Sequence, residues 1–198
     1  MMHRLVGQVA FYVLLLQIDQ ELAEEVRLEG CPWCGMALHR ANYTRSLRGA
    51  PAGLPDGFEK RFSFCCGTEG CRRRVTPPSV RFFGRRWYVA PVMVLISALQ
   101  HGATPRRLDA IQRWLEGPIP RRTLDRWRRW WRDAFTASPF WKGLRGRFGR
   151  PVAESRLPLS LIDAFDGDES TRFESTLKIL RPVTTASCAH LAMGPTRR

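Results

Sequence analysis

Two short cysteine pairs constrain this chain more than any other feature. Cys31-x2-Cys34 is followed, after 31 intervening residues, by Cys66-x4-Cys71. Thiols set two to four residues apart on a turn aim at one point, and four thiolates complete a closed tetrahedral Zn2+ site. Such a site is structural, because no coordination position is left for a substrate. Gly35, Gly67 and Gly70 supply backbone freedom beside the pairs. A small β zinc ribbon over residues 30–80 is therefore expected, with Cys31, Cys34, Cys66 and Cys71 as ligands.

Two other readings of the thiols stand beside it. Cys31-Pro32-Trp33-Cys34 has the form of a glutaredoxin-type redox motif, but that fold needs a strand before the motif, and a helical pattern precedes it here. Disulfides or inert buried thiols form the third reading, disfavoured without an export signal. Cys65 and Cys66 are neighbours in a strand-like stretch and must face opposite ways, so only one is a first-choice ligand. Cys66 is preferred for its spacing to Cys71, with Cys65 as a small apolar filler. His39 reads as a surface residue of the ribbon and Cys188 as a free thiol in a loose tail.

Charge gives the second constraint. The 198 residues carry 32 Lys+Arg and 18 Asp+Glu, a formal net charge of +14. Residues 1–30 hold 2 basic and 5 acidic side chains, residues 31–151 hold 24 and 7, and residues 152–198 hold 6 of each. The whole excess lies in the middle, and almost all of it is arginine, whose planar fork of donors suits phosphates and guanine edges. A nucleic-acid surface is expected there. The plainer alternative is arginine written wherever a surface tolerates charge.

Three stretches carry the excess. The loop between the cysteine pairs, Leu38 to Phe62, holds Arg40, Tyr43, Arg45 and Arg48 before a Gly/Pro-rich run, and reads as a hairpin with a mobile tip. It either lies along a phosphate backbone or is simply solvated. After Cys71 come Arg72, Arg73 and Arg74, then Arg81, Arg85 and Arg86 on a proline-stiffened bridge. There Val80, Phe82, Phe83, Trp87 and Tyr88 read as core and the arginines as candidate DNA contacts.

The third stretch is helical. Pro91 to Gln100 is an apolar helix, His101-Gly102-Ala103 a turn, and Thr104-Pro105 the start of a second helix through Leu108, Ile111, Trp114 and Leu115. Gly117 to Pro120 breaks it, and a third helix runs from Arg121 to about Phe135. Its Leu124, Trp127, Trp131 and Phe135 recur at helical spacing and form the buried stripe. Arg122, Arg126 and Arg129 centre the opposite face, with Asp125 and Asp133 beside them, while Arg121 and Thr123 occupy the first turn, where phosphate binds well. Trp130 sits at the stripe's edge, in reach of a partner. This is a helix-turn-helix pattern over residues 81–136 with a basic recognition helix; a solvated arginine face is the alternative.

The ends carry no chemistry. Residues 1–29 read as one amphipathic helix, centred on about 6–27, that packs on the rest of the protein or on a partner chain. Its apolar run is too short to span a bilayer and lacks a cleavage site. Residues 137–184 read as a flexible basic arm (Trp141 to Arg150) and two short helices, Leu157 to Phe165 and Thr171 to Leu180. Gly167 and Asp168 break them and Ser170 caps the second. Residues 185–198 lack periodicity and read as a disordered tail.

In order, the cysteine pairs, Cys71-Arg72-Arg73-Arg74, the stretch His101 to Leu108 and Arg121 to Trp131 resemble the zinc-ribbon plus helix-turn-helix front ends of bacterial insertion-sequence transposases over residues 28–135. The resemblance implies recognition of transposon ends, with zinc holding the ribbon. It departs in three ways. Such transposases continue into a ribonuclease-H-like catalytic domain, whereas 63 helical-looking residues follow Phe135 here. Asp163, Asp166, Asp168 and Glu169 cluster at a helix break and read as a cap and loop more than a two-metal site, and Pro120 stands where an N-capping Ser or Thr is usual.

The expectation is a mainly α fold with a small β zinc ribbon. Its function would be that of a non-catalytic, zinc-stabilised DNA-binding protein of a mobile element, cytoplasmic and nucleoid-associated. Double-stranded DNA is its partner, with a transposase, a recombinase or a second copy as further candidates. A zinc-dependent interaction or transcription-regulator module and a truncated transposase are the alternatives.

Overall fold

The computed structural model describes residues 7–47, 51–82, 90–99 and 119–184. Helix α1 (Val9–Glu29) comes first. It buries Phe11, Tyr12, Leu15, Ile18, Asp19, Leu22 and Ala23 along one side and ends at Gly30, whose φ of 80° closes the helix at little steric cost. The helix packs on the rest of the chain, as one of the two sequence-based options had it.

Five short strands follow: β1 (Leu38–Arg40), β2 (Tyr43–Thr44), β3 (Lys60–Arg61), β4 (Phe64–Cys66) and β5 (Arg74–Val75). They make an antiparallel three-stranded sheet in the order β1-β4-β5 and a two-stranded ladder, β2-β3. Leu38 pairs with Cys66, and Cys65 with both His39 and Arg74. Directly paired residues share a face. So His39, Cys65 and Arg74 line one side, while Leu38, Phe64, Cys66 and Val75 turn toward α1 and cluster with Ala23, Val26 and Cys31.

The β2-β3 ladder is the base of the expected hairpin. Its far part is no free tip over the described residues: Phe58 is buried against the rings of Tyr12 and Phe82, and Leu47 and Leu54 pack on the main core.

Helix α2 (Ala90–Leu99) packs against α3 (Arg121–Arg129). Residues 100–118, with the turn and the middle helix of the expected helix-turn-helix, lie outside the described residues, as do Phe83, Trp87, Tyr88 and the tail with Cys188. The third helix does not run uniformly to Phe135. After Arg129 the chain widens into a π-helical turn, Trp130–Phe135. A π turn brings i and i+5 together, so Trp130 stands over Phe135 at 5.4 Å between ring centroids. Trp130 is therefore buried beside Trp131 and Phe135, not poised at the surface. The rest of the expected stripe is as read: Leu124, Trp127, Trp131 and Phe135 are all buried.

The flexible basic arm is also corrected. Ser138 caps α4 (Pro139–Leu144) by accepting from the Trp141 backbone N–H at 3.0 Å. Trp141 and Leu144 are buried in the core. The Trp141 indole N–H and Arg145 both donate to Glu154, at 2.7 and 3.1 Å. An indole with a buried body and a satisfied N–H anchors a segment rather than freeing it. Helices α5 (Leu159–Ile162) and α6 (Glu169–Leu180) close the fold. Asp168, not Ser170, caps α6, accepting from the Thr171 N–H at 2.7 Å. One continuous core joins α1, the hairpin and the later helices; a second, smaller one lies under the cysteines.

Candidate functional site

The two cysteine turns come together at the end of the three-stranded sheet. In the first, the Gly35 N–H donates to the Cys31 carbonyl at 2.7 Å and the Cys31 N–H to the Met36 carbonyl at 2.9 Å. In the second, the Cys71 and Arg72 N–H groups both donate to the Thr68 carbonyl, and the Cys66 N–H to the Arg73 carbonyl. Gly35 and Gly70 adopt positive φ, of 71° and 83°. Antiparallel pairing of β1 with β4 sets the two turns side by side.

The result is a compact four-thiol cluster. The ligand atoms of Cys31, Cys34, Cys66 and Cys71 all lie within 4.8 Å of one another and can hold a metal ion. Sγ–Sγ is 3.7 Å between Cys31 and Cys71 and 3.5 Å between Cys34 and Cys66. A disulfide would need about 2.05 Å. A tetrahedron with metal–sulfur bonds of about 2.3 Å has edges near 3.8 Å, so the donor set fits a tetrahedral thiolate centre. All four thiols are unbridged.

The neighbours settle the ligand choice between the adjacent cysteines. Cys66 is buried in the cluster, whereas the half-buried Cys65 thiol points to the Arg72 carbonyl at 3.5 Å. It is a weak donor at the sheet surface rather than an apolar filler. His39 is exposed, with its imidazole lying over Gly67, where a Cβ would fall 2.5 Å from Nε2. His39 therefore stays outside the ligand set.

The thiols do not ionise alike. The Thr68 hydroxyl and backbone N–H, donating to Cys66, pull it down to about 6. At Cys71 the Arg73 N–H favours the thiolate, but burial and the three neighbouring thiols together push it up to about 12. Four negative charges this close repel one another, and a bound cation removes that cost.

The expected DNA-contacting residues divide. Arg72, Arg73 and Arg74 are exposed around the second turn and β5. Arg121, Arg122, Arg126 and Arg129 are exposed on α3. Arg121, Arg122 and Arg126 have no ion-pair partner among the described residues. Asp133 is held by Arg132, with a weaker pull from Arg129. Pro120 leaves the start of α3 without a side-chain cap. Arg85 and Arg86 lie outside the described residues.

Two assignments are overturned. Thr123 is buried and its backbone N–H already donates to the Pro120 carbonyl at 2.8 Å, so it offers nothing to a phosphate. Arg81 is entirely buried. Its Nε donates to Asp19 at 2.7 Å, with both side chains 0% exposed. Its Nη1 and Nη2 donate to the Phe58 and Lys60 carbonyls, and the rings of Phe58, Phe62 and Phe82 surround it at 4.9 to 5.2 Å. Asp19 in turn accepts from the Ser79 hydroxyl and the Val80 N–H. This network ties α1, the hairpin and the bridge together. Arg61 is a second arginine turned inward, donating to the Pro77 carbonyl; burial lowers it to about 10.

Sequence reasoning passed over Trp33 as a surface feature. It is 53% exposed at the tip of the first turn, with the Arg73 guanidinium 5.2 Å from its ring centroid. Its signal was its place inside Cys31-Pro32-Trp33-Cys34, since a residue between two ligands of one turn must point outward.

The clustered acids are all engaged. Asp163 pairs with Arg156 and Arg172, Asp166 with Arg150, and Asp168 caps α6. Among the described residues no helix is long and apolar enough to cross a membrane. No family model, no curated protein and no solved structure matches the chain.

Proposed function

We propose that the chain is a zinc-stabilised DNA-binding protein that reads duplex DNA with α3 and does not cut it. One observation carries the reading: α3 buries Leu124 and Trp127 while it presents Arg121, Arg122, Arg126 and Arg129 to solvent. A helix clamped to a core by large side chains, with these four exposed arginines against the single acid Asp125 on its outer surface, suits entry into a groove. Its uncapped first turn adds backbone N–H groups and a favourable dipole for a phosphate.

Zinc is the metal that suits the cluster. Four sulfur donors near tetrahedral edges favour Zn2+ over cations that prefer oxygen, and a closed set leaves it structural. The order of parts also resembles the front ends of insertion-sequence transposases, which favours a role in a mobile element, with a transposase or recombinase as protein partner. The acids after Phe135 serve as a cap and ion pairs, which favours binding over cutting.

Selection of duplex sequences from a random library by the purified protein, followed by anisotropy with the selected site, tests the reading. A defined site is expected, with Arg126→Ala losing affinity and relaxing base preference at one position, a loss of about 5- to 150-fold. Equal behaviour of Arg126→Ala and the native protein would sink the recognition-helix assignment. Incubation with Mg2+ or Mn2+ should leave the DNA intact.

A further inference from the structure

A second candidate surface is formed by exposed aromatic–arginine pairs at the first cysteine turn and on the β2-β3 ladder. Trp33 and Tyr43 are among the large apolar side chains left exposed in the described residues, at 53% and 38%. Each carries arginine against its ring. The guanidinium of Arg73 sits 5.2 Å from the Trp33 centroid, and those of Arg45 and Arg74 sit 5.6 and 5.9 Å from that of Tyr43. Arg45 also donates to the Tyr43 hydroxyl at 3.3 Å, and Arg74 to the Ala41 carbonyl at 2.9 Å. These contacts hold the rings and the positive groups in fixed mutual positions, and Arg72 stands exposed in the same turn.

We infer that these aromatic–arginine pairs form a stacking platform for unpaired nucleotides, so that the protein holds single-stranded nucleic acid beside the cysteine turns and the β2-β3 ladder while α3 holds duplex. The chemistry matches on two counts. An aromatic ring gives a base a π-face whatever its sequence, and flanking arginines neutralise the phosphates on either side. A duplex cannot use the platform, because its bases are stacked on each other and offer only edges. The occupant is thus a strand without a complement, DNA or RNA; a protein segment would gain nothing from four clustered arginines unless it were acidic. The inference extends the nucleic-acid reading of α3 but rests on separate residues.

The test measures anisotropy of labelled oligodeoxythymidylate, oligouridylate and a blunt duplex of equal length, with the zinc-loaded full chain. The native protein should bind at least one of the two single strands. Trp33→Ala and Tyr43→Ala should each weaken that binding about 5- to 100-fold, with duplex affinity kept within about twofold. Trp33→Phe should recover much of the loss. Arg126→Ala should do the reverse, weakening the duplex alone. Which strand binds tighter distinguishes DNA from RNA. Failure of both single strands to bind, or an equal fall of strand and duplex affinity in Trp33→Ala, overturns the platform. Strand binding by the native protein with a duplex affinity that Arg126→Ala leaves unchanged would instead count against α3. Both aromatic side chains are at the surface, so unchanged circular dichroism is expected and checks that the variants fold.

Discussion

Replacing Arg81 by alanine separates a structural arginine from a nucleic-acid-binding one. The substitution leaves the Asp19 carboxylate buried without its cation, and frees the Phe58 and Lys60 carbonyls of their donors. Breaking a buried ion pair on one side costs about 3–5 kcal/mol, since the remaining charge stays desolvated. A domain of this size has only about 5–15 kcal/mol in total. With a urea dependence near 2 kcal/mol per molar, the unfolding midpoint should fall by about 1.5–2.5 M. Arg126→Ala, at an exposed position, should stay within about 0.5 kcal/mol, or roughly 0.3 M. Urea titrations followed by circular dichroism, run on the native protein and both variants, give the comparison. If Arg81→Ala moves the midpoint no further than Arg126→Ala does, the burial argument is wrong. The folded fraction of Arg81→Ala should bind duplex like the native protein, because Arg81 does not reach the surface.

Four further outcomes follow from the geometry. Metal analysis of protein purified without chelator should find one zinc per chain, and Cys66→Ser should lose it. Stripping the zinc should raise amide exchange over residues 31–40 and 64–75 well before α3 to α6, because the cysteine cluster has its own small core. Phe135→Ala, which removes a ring packed against Trp130, Trp131, Phe140 and Trp141, should cost about 3–5 kcal/mol in the same urea assay. The Thr171 N–H holds the Asp168 carboxyl below its ordinary range. A depressed folded value means the cap stabilises above the unfolded value of about 3.9 and fades as pH falls through the folded one. The melting temperatures of Asp168→Ala and the native protein should therefore differ by a few degrees at neutral pH and converge below about pH 4.

What could be read in the sequence was what repeats or pairs. Ligand spacing named all four thiols: strand alternation allowed only one of Cys65 and Cys66, and the gap to Cys71 chose Cys66. Helical spacing named the stripe Leu124, Trp127, Trp131 and Phe135. The misses have two causes: one contact far apart in sequence, and local geometry that spacing rules do not show. Arg81 looks like any arginine in a basic run, and only Asp19, 62 residues earlier, turns it inward. Trp130 lies off an α-helical stripe and becomes buried only because the helix widens by a residue at that point. Trp141 sits in a glycine- and arginine-rich stretch that reads as loose, yet Ser138 starts a helix there and Glu154 receives its indole. Asp168 outcompeted Ser170 as a cap because its carboxylate reaches the N–H three residues on.

The central claim is that α3 presents its arginines to DNA, and the salt dependence of duplex binding tests it most directly. Each phosphate neutralised contributes about 0.9 to the slope of log K against log salt. Anisotropy titrations over a range of salt concentrations, on the native protein and on the triple variant Arg122→Ala/Arg126→Ala/Arg129→Ala, give the two slopes. The account expects the triple variant to bind more weakly at every salt concentration, with a slope shallower by about 2–3. Two superimposable lines from well-folded proteins would contradict it.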